Sequence, residues 1–405
     1  MQKTQKTTKL KLFSKEVFEF IKHYKSQSTP GLNILQKDFS ACRLLVISNS
    51  EIDKYGAIDY IFGFDNIYLL QYANCNDTCR AYLKYIQNPD ILYVEPDRVI
   101  ELINSALFHQ PKLSLYEINN GNSWGFDYIE TEKAFNYILQ NKTIDELPQI
   151  VVGVIDSGID INNPMFKNRV LATHSFVDDS EDCDICMDGH GAEVCSILIE
   201  NTLENVKLIS YKIFSERDTA LSILRLAEIQ AELDGVDIVN SSFGMLYEFE
   251  SRIQKPLHIA SAGNFKSNLP HYPAACKNVV SVTGITKDGV LSETSTYGDW
   301  VNVAAPSENI RLSDSYGLGK YKDFSGTSCA APFVTATCAM IKTQYPNLNN
   351  EQIKHILFDS CVKADMPIQH GFINMYNAVT YFDDNIKAMD ELPISSTKKK
   401  ETVEV

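Results

Sequence analysis

The feature that most constrains the fold of this chain is a series of short runs rich in Val and Ile that alternate with helical patterns beyond residue 150. Six runs belong to this series: IVVGVI, KLISYKI, VDIVNSS, LHIASAG, VVSVTGI and VNVAA. They show little alternation of polar and apolar residues, which is typical of strands buried on both faces of a parallel sheet. Helical patterns cover residues 191–201, 219–233, 328–345 and 350–360. The series predicts an α/β fold with a doubly wound, mostly parallel sheet.

A second, smaller α/β unit is predicted before this sheet. In residues 41–105, the runs RLLVIS, NIYLLQY and ILYVEP have the composition of strands, whereas EIDKYGAIDYI and DTCRAYLKYIQ have the pattern of helices. The order strand–helix–strand–helix–strand predicts a small ferredoxin-like sandwich. The other segments are predicted to be an N-terminal extension with a short helix near 15–22 (1–40), an exposed linker (106–123) and a solvated tail (384–405). The large domain then covers residues 124–383.

The charge and the hydropathy of the chain argue against several classes of binding partner. The 405 residues include 37 Lys and Arg against 52 Asp and Glu, a net charge of −15, which argues against nucleic acids and anionic membrane surfaces. No run reaches the roughly 18 apolar residues of a membrane-spanning helix. The basic N-terminus also lacks the apolar run of a signal peptide. We therefore expect a cytoplasmic protein, with release by a non-standard route as the alternative, and reduced thiols for most of its ten cysteines.

Three segments place a reactive side chain where a strand ends or a helix begins. Asp156 ends the strand of VVGVIDSGID, His190 opens the helix of DGHGAEVCSIL, and Ser328 opens the helix of FSGTSCAAPFV. Taken singly, each has an ordinary structural explanation: a turn Asp, a structural or exposed His, and an N-cap Ser. Together they have the residue types of a catalytic triad, in which a carboxylate orients an imidazole that takes the proton of a serine hydroxyl.

A fourth segment, HIASAGN, ends in Asn264 just after a predicted strand. A turn Asn is the structural alternative. A side-chain amide at this place could instead donate a hydrogen bond to the oxyanion of a tetrahedral intermediate, and removing such a donor costs about 3–4 kcal/mol.

These residues lie in motifs that resemble those of subtilisin-like serine proteases, the subtilases. Seven motifs between about residues 124 and 381 carry the resemblance: VIDSGID, DGHGAEV, VNSSFG, ASAGN, HYPAAC, VNVAAPS and SGTSCAAPFV. Successive positions among Asp156, His190, Asn264 and Ser328 are 34, 74 and 64 residues apart, as in that family. The resemblance implies a serine endopeptidase that acts on polypeptides and needs no cofactor.

The resemblance also implies the roles of the site residues. Asp156 orients His190, which is the general base and acid, Ser328 is the nucleophile, and Asn264 helps to bind the oxyanion. Two segments supply backbone that pairs with an extended substrate: Ser242, Phe243 and Gly244, and Ser261, Ala262 and Gly263. His271 stands where many subtilases have a small residue, at the floor of the pocket for the residue before the cut. Its ring is expected to favour small or acidic side chains there.

Residues 42–102 are similar to the inhibitory propeptide of the same proteases, and YVEPDRVIEL matches the end of that module. The similarity implies an intramolecular chaperone that covers the cleft, as the chain's own partner, and is removed by self-processing. The cut is expected in the linker at about 114–123. A pocket that accepts acidic side chains makes the bond between Glu117 and Ile118 a candidate site.

The chain departs from the family pattern in three further places. HGAEVCS differs from the usual His-Gly-Thr-His-Val-Ala-Gly, and its Glu193 would favour the protonated form of His190. IENTLENVKLISYKIF leads from helix to strand without the Asn-rich loop that wraps calcium in many subtilases, so no strong metal site is expected. The CDIC pair, Cys183 and Cys186, is most simply two reduced thiols, with a redox-sensitive disulfide or a metal site as alternatives.

The leading hypothesis is therefore a serine endopeptidase made as a self-inhibited zymogen. The sequence leaves open whether it is a dedicated protease that trims a peptide leader or a general intracellular protease. The alternative from another class is a catalytically silent peptide-binding protein on a protease fold.

Overall fold

The computed structural model describes residues 42–64, 67–101, 124–177, 189–214, 218–312 and 322–384. Its N-terminal part contains β1 (Arg43–Ser48), β2 (Asp59–Phe64), β3 (Ile67–Gln71), α1 (Cys75–Tyr85), β4 (Ile91–Pro96) and the short strand β5 (Val99–Glu101). Strands β1 to β4 form an antiparallel sheet in the order β2-β3-β1-β4. Helix α1 packs on this sheet around a small core of Leu44, Val46, Leu70, Tyr72, Ala81 and Tyr85.

The helix predicted for EIDKYGAIDYI is wrong. Residues 51–58 are not helical, and the residues that follow them form β2. Tyr55 and Gly56 have positive φ angles of 47° and 84°, which interrupt a helix. The carbonyl group of Asp53 instead accepts a hydrogen bond from the hydroxyl group of Tyr85. The unit is therefore a β-β-β-α-β arrangement that lacks the first helix of the predicted ferredoxin-like sandwich.

The larger part begins at residue 124. Its strands are β6 (Ile150–Asp156), β7 (Val170–Ser175), β8 (Val206–Lys212), β9 (Asp218–Ala220), β10 (Ile238–Ser241), β11 (Leu257–Ser261), β12 (Val279–Ile285), β13 (Val303–Pro306), β14 (Ile310–Leu312) and β15 (Lys322–Phe324). Its helices are α2 (Trp124–Tyr128), α3 (Thr131–Ile138), α4 (His190–Glu200), α5 (Leu221–Asp234), α6 (Thr327–Gln344), α7 (Asn350–Asp359), α8 (Met375–Val379) and α9 (Tyr381–Asp384).

Seven of the described strands form one sheet in the order β13-β12-β11-β10-β6-β8-β7, and every neighbouring pair is parallel. The side chains of β6 alternate between two cores. Val152 and Val154 pack with residues of α4 and α6, whereas Ile155 packs with residues of α5. Helices therefore cover both faces of the sheet, which confirms the doubly wound α/β fold and explains the continuous Val and Ile runs.

The predicted helices at 191–201, 219–233, 328–345 and 350–360 are α4, α5, α6 and α7, with ends that differ by at most two residues. Strand β7 was not predicted, because it is an edge strand of half-buried residues without an apolar run. The predicted extension, linker and tail, and the helix near 15–22, lie outside the described residues, so the domain boundaries stay predictions. Among the residues described, none of the helices combines the length and hydrophobicity that crossing a membrane requires.

Candidate active site

The carboxylate of Asp156 and the imidazole of His190 form a buried hydrogen-bonded pair. Asp156 is the last residue of β6, and His190 is the first residue of α4. Their Oδ1 and Nδ1 atoms are 2.8 Å apart, and the two side chains are 1% and 4% exposed. The backbone N–H of Ser157 donates to the same Oδ1 atom over 2.7 Å. The carboxylate therefore fixes the orientation of the ring, and the shielding from water strengthens their attraction.

The absence of a side chain at residue 191 lets α4 begin close to the end of β6. A Cβ atom on Gly191 would lie 2.5 Å from the carbonyl oxygen of Gly158, so only glycine fits at this contact. The backbone N–H of Gly191 donates to Ser157 Oγ over 2.9 Å and ties the start of the helix to the end of the strand. On another side, the ring of His190 packs edge-on against Phe324, with 5.5 Å between the ring centroids.

Ser328 lies in the first turn of α6. The N-cap of this helix is Gly326, so Ser328 is not the N-cap residue of the structural alternative. Its Oγ donates to the carbonyl oxygen of Ser242 over 3.0 Å, and Ser242 Oγ donates to the carbonyl oxygen of Ser328 over 3.1 Å. Pro332 explains the second bond, because proline has no N–H for the carbonyl group four residues before it. Two reciprocal bonds therefore hold Ser328 against the chain that follows β10.

The sheet brings these groups to one edge. Strands β6 and β10 are parallel neighbours, and Ile155 pairs with Ser241, so Asp156 and Ser242 occupy the same level at the carboxyl end of the sheet. Helices α4 and α6 pack against each other on one face. The Asp–His pair and Ser328, which contacts Ser242, therefore lie at adjoining helix starts, at the edge where ligands of open α/β sheets bind.

Asn264 contacts the residue that precedes Ser328. Its Oδ1 atom accepts hydrogen bonds from the backbone N–H and the hydroxyl group of Thr327, at 2.8 and 3.0 Å. The hydroxyl of Thr327 in turn accepts the backbone N–H of Gly263 over 3.1 Å. With its oxygen held in this way, the amide offers its NH2 group as a donor. The sequence singled out Asn264 but missed Thr327, whose role only the folded contacts reveal.

Two backbone segments continue β10 and β11 beyond the sheet edge. Residues 242–244 follow β10 and are anchored by Phe243, whose buried ring packs against Phe214 at 5.5 Å between centroids. Residues 261–263 complete and follow β11, and the backbone N–H of Ala262 donates to the carbonyl oxygen of Val282 over 2.8 Å. Because β10 and β11 are neighbours, the two segments flank the start of α6.

The imidazole of His271 fills the space between these two segments. A Cβ atom on Gly244 would lie 2.6 Å from its ring, and one on Gly263 would lie 3.2 Å from its Nδ1 atom. The side chain is buried, and within the described part of the chain Nδ1 has no hydrogen-bond partner. Burial lowers the pKa of His271 to about 4, so the ring is neutral at pH 7.

A continuous buried polar network, which the sequence did not predict, runs behind the site. It joins Ser241, His258, Ser251, Glu228, Arg225 and Glu95 in that order. The Nε2 and Nδ1 atoms of His258 each lie 2.9 Å from a serine hydroxyl, and burial lowers its pKa to about 3. Arg225 contacts Glu228 at 2.8 Å within α5 and Glu95 of β4 at 2.9 Å. The network therefore connects the N-terminal sheet to the end of β10.

The sequence also singled out Glu193, Cys183 and Cys186 in addition to the triad. Glu193 is buried and its charge helps to raise the pKa of the Cys329 thiol, after burial itself. An effect of Glu193 on the protonation of His190 stays a prediction. Cys183 and Cys186 lie outside the described residues. In the part of the chain that the structure describes, we find no group of three His, Cys, Asp or Glu side chains that could hold a metal ion.

Comparison with known proteins agrees with this geometry. The model of the Subtilase family matches residues 148–380. A thermophilic serine proteinase of Bacillus sp. (strain AK1) is 28% identical over 315 residues, which is 73% of this chain and 74% of that protein. An intracellular serine protease of Paenibacillus polymyxa is 30% identical over 303 residues, 66% of this chain and 91% of that protein. The minor extracellular protease Epr of Bacillus subtilis is 28% identical over 297 residues, 66% of this chain and 42% of that protein.

The matched residues span the whole parallel sheet and include Asp156, His190, Asn264 and Ser328. The match to the family therefore covers the whole part of the molecule that carries the candidate site. The chain belongs to the subtilase family and is a serine endopeptidase that acts on polypeptides.

Proposed function

We propose that this protein cleaves peptide bonds through an acyl-enzyme formed on Ser328. The hydroxyl oxygen of Ser328 attacks the carbonyl carbon of the substrate while His190 Nε2 takes its proton. His190 then gives that proton to the departing amine. A water molecule, deprotonated by the same ring, attacks the acyl carbon, and the ring returns the proton to the Ser328 oxygen as the carboxylic acid product leaves. The observation that carries this proposal is the buried 2.8 Å contact between Asp156 and His190, which stabilises the imidazolium formed in each step.

Asn264 is proposed to stabilise the oxyanion of the tetrahedral intermediate. Its amide oxygen accepts both hydrogen bonds from Thr327, so its NH2 group is directed by contacts on the residue next to the nucleophile. A donor held in advance costs no reorganisation when the charge develops, and such donors contribute about 3–4 kcal/mol.

Residues 242–244 and 261–263 are proposed to pair with the backbone of an extended substrate. Both segments leave neighbouring strands at the edge where Ser328 lies. A peptide lying alongside them would pair with their backbone as an additional strand does. Its scissile bond would then lie beside the start of α6.

The ring of His271 is proposed to restrict the residue before the cut to small side chains. It occupies the space between Gly244 and Gly263 that a large side chain would need. Because the buried ring is neutral at pH 7, it offers no charge to a carboxylate. The expected preference for acidic side chains therefore loses its basis, and with it the argument for a cut between Glu117 and Ile118. A narrow pocket limits the residues after which the enzyme can cut. This favours a dedicated processing protease over a general intracellular protease.

A peptide library that varies the residue before the cut tests this pocket. We expect the wild type to cleave after Gly, Ala or Ser at least about tenfold faster than after Phe, and His271→Gly to reverse that order. His370→Gly, which makes the same change at a half-buried histidine of another loop, is the control and keeps the wild-type order. Preference of the wild type for Phe would contradict the proposal.

The N-terminal sheet is proposed to be an inhibitor that stays docked until processing. Strand β5 pairs antiparallel with β9, immediately before α5. The carboxylate of Asp97 accepts the backbone N–H of Ser222 over 2.9 Å at the start of α5 and is paired with Arg43 at 2.9 Å. A carboxylate at a helix N-terminus satisfies otherwise unpaired N–H groups. Apolar side chains of β1 and β3 share a core with α5.

One experiment tests catalysis and the inhibitor together. The full chain is purified, its conversion to a shorter form is followed, and the new N-terminus is sequenced. We expect a cut within about 114–123 and labelling of Ser328 by a fluorophosphonate, both absent in Ser328→Ala. A chain that binds peptides but neither converts nor reacts would support the catalytically silent alternative. We also propose a cytoplasmic location, in line with the name of the intracellular relative.

A further inference from the structure

Two thiols of the N-terminal sheet lie in contact with each other. The Sγ atoms of Cys42 and Cys75 are 3.8 Å apart, although the residues are 33 positions apart in the chain. Cys42 precedes β1, and Cys75 is the first residue of α1. Both residues are partly exposed, so small molecules in solution can reach them.

The backbone already holds the two residues together. The carbonyl oxygen of Cys42 accepts the backbone N–H of Tyr72 over 2.7 Å and the side-chain amide of Gln71 over 3.2 Å. Cys75 follows the N-cap Asn74, whose side chain accepts the backbone N–H of Asp77. Shortening the distance between the sulfur atoms to the roughly 2.05 Å of a disulfide therefore needs side-chain rotation and no change of fold.

We propose that Cys42 and Cys75 are a redox-active pair whose disulfide locks the N-terminal sheet to its helix. The oxidant is a small-molecule disulfide such as oxidised glutathione. The Cys75 thiolate attacks it and expels one glutathione thiolate, and the Cys42 thiolate then attacks the mixed disulfide and expels the second. Two protein thiols are oxidised and one glutathione disulfide is reduced to two thiols, which take up the two protons that the protein thiols lose.

The surroundings distinguish the roles of the two thiols. Burial and the neighbouring Cys75 thiol raise the pKa of Cys42. Cys75 is the first residue of the eleven-residue helix α1, and the raised pKa of Cys42 reduces the fraction of Cys42 that is present as the reactive thiolate. Cys75 is therefore the attacking thiol and Cys42 the resolving one.

The bond would matter because the core of this sheet is small, with six fully buried apolar side chains among the described residues. A disulfide across 33 positions shifts the folding equilibrium of such a unit by about a hundredfold or more. If the sheet is the inhibitor, which rests on the function proposed above, then oxidation slows its release and reduction speeds it.

Mass spectrometry of the full-length Ser328→Ala chain tests the pair without depending on catalysis. After equilibration with oxidised glutathione and alkylation of free thiols, we expect a proteolytic peptide that is cross-linked between Cys42 and Cys75. Cys42→Ser should abolish it, and Cys79→Ser, one turn further along α1, should leave it intact. A cross-link from Cys75 to Cys79, or full alkylation of both thiols, would overturn the proposal.

Limited proteolysis in urea provides the second measurement. The oxidised Ser328→Ala chain should need a higher urea concentration than the reduced chain before its N-terminal sheet is cut, and Cys42→Ser should show no such difference. Equal sensitivity of the oxidised and reduced chains would contradict the lock. Neither measurement depends on activity. An inactive wild type would therefore contradict the proposed function without contradicting the proposal for Cys42 and Cys75.

Discussion

At the scale of single residues, the site depends on contacts that fix side chains before a substrate arrives. Asp156 orients His190, Thr327 orients Asn264, and the Ser242 hydroxyl holds the backbone carbonyl of Ser328. Each fixed contact removes a motion that would otherwise have to be frozen during the reaction.

Replacing Asn264 by Ala should lower kcat by about 10²–10³-fold and leave KM almost unchanged, because the lost donor acts only on the transition state. Steady-state kinetics with one peptide substrate measure both parameters. Thr327→Ser retains the hydroxyl group that bonds to Asn264 and is the control with near-wild-type kcat. A fall in kcat below threefold for Asn264→Ala would argue against the oxyanion role.

Two of the buried histidines, His258 and His271, should make the protein less stable in mild acid. Burial lowers the pKa of His258 to about 3 and that of His271 to about 4, both below the ordinary value near 6.5. At a pH between the lowered pKa of each histidine and 6.5, the unfolded chain binds a proton that the folded chain excludes. The free energy of unfolding therefore falls as the pH decreases below about 6.5. Each histidine contributes about 1.4 kcal/mol per pH unit.

Urea unfolding of Ser328→Ala, which avoids self-digestion, measures this slope between about pH 4.5 and 6.5. Removing one buried imidazole with His258→Gln should reduce the slope by about one proton, even if the substitution also lowers stability at pH 7. An unchanged slope in this variant would show that His258 is protonated in the folded protein.

At the scale of elements, the site depends on how closely strand ends and helix starts approach each other. The start of α4 touches the turn after β6, where a Cβ atom on Gly191 would lie 2.5 Å from a backbone oxygen. The start of α5 is covered by the N-terminal sheet through Asp97 and Glu95. Burial alone would raise the pKa of Glu95, but Arg225 and Arg252 lower it below its ordinary value.

Gly191→Ala should separate α4 from β6 and lower kcat at least about a hundredfold, because a displacement of about 1 Å at His190 has an effect of that size. It should also destabilise the fold by about 1–3 kcal/mol, as insertion of a methyl group into a close contact does. Glu200→Ala, at the far end of the same helix, is the control. Activity within tenfold of the wild type would show that the turn after β6 can move without cost.

Glu95→Gln should weaken docking of the N-terminal sheet. Removal of one partner of a buried charge pair costs at least about 2 kcal/mol, so release after processing should be at least about thirtyfold faster. The appearance of peptidase activity over time measures release. Glu51→Gln, an exposed site on the same unit, should match the wild type, and equal rates for Glu95→Gln would contradict the role of the pair.

The elements that the sequence predicted and those that it missed differ in how they are buried. Strands β10 to β13 are buried on both faces, so their continuous Val and Ile runs identify them. Edge strand β7 and strand β2 carry no such run. The helix predicted for EIDKYGAIDYI covers an irregular segment and the start of β2, because this run has apolar residues at helical spacing. The spacing of apolar residues shows only which side of a segment is buried. In a short segment it does not distinguish a helix from an irregular stretch that leads into a strand.

At the scale of the whole molecule, the candidate site residues stand in recognisable sequence motifs, whereas the residues that support them do not. Asp156, His190 and Ser328 lie in motifs whose order and spacing are specific. The network from Ser241 to Glu95 joins segments that are far apart in the chain, and its members are ordinary residues in sequence. Only the register of β6, β10 and β11 and the position of the N-terminal sheet show that these residues meet.

The pairing of Arg225 has a consequence for the form without the N-terminal sheet. When Glu95 departs, the guanidinium keeps Glu228, which also holds Ser251 and the backbone N–H of Arg252. The remaining pair of Arg225 and Glu228 is electrically neutral, so the loss of Glu95 does not leave the Arg225 guanidinium as a lone buried charge. On the departing unit, the carboxylates of Glu95 and Asp97 lose their contacts with α5 and become solvated by water. The attachment of the N-terminal sheet through Glu95 is therefore reversible in principle.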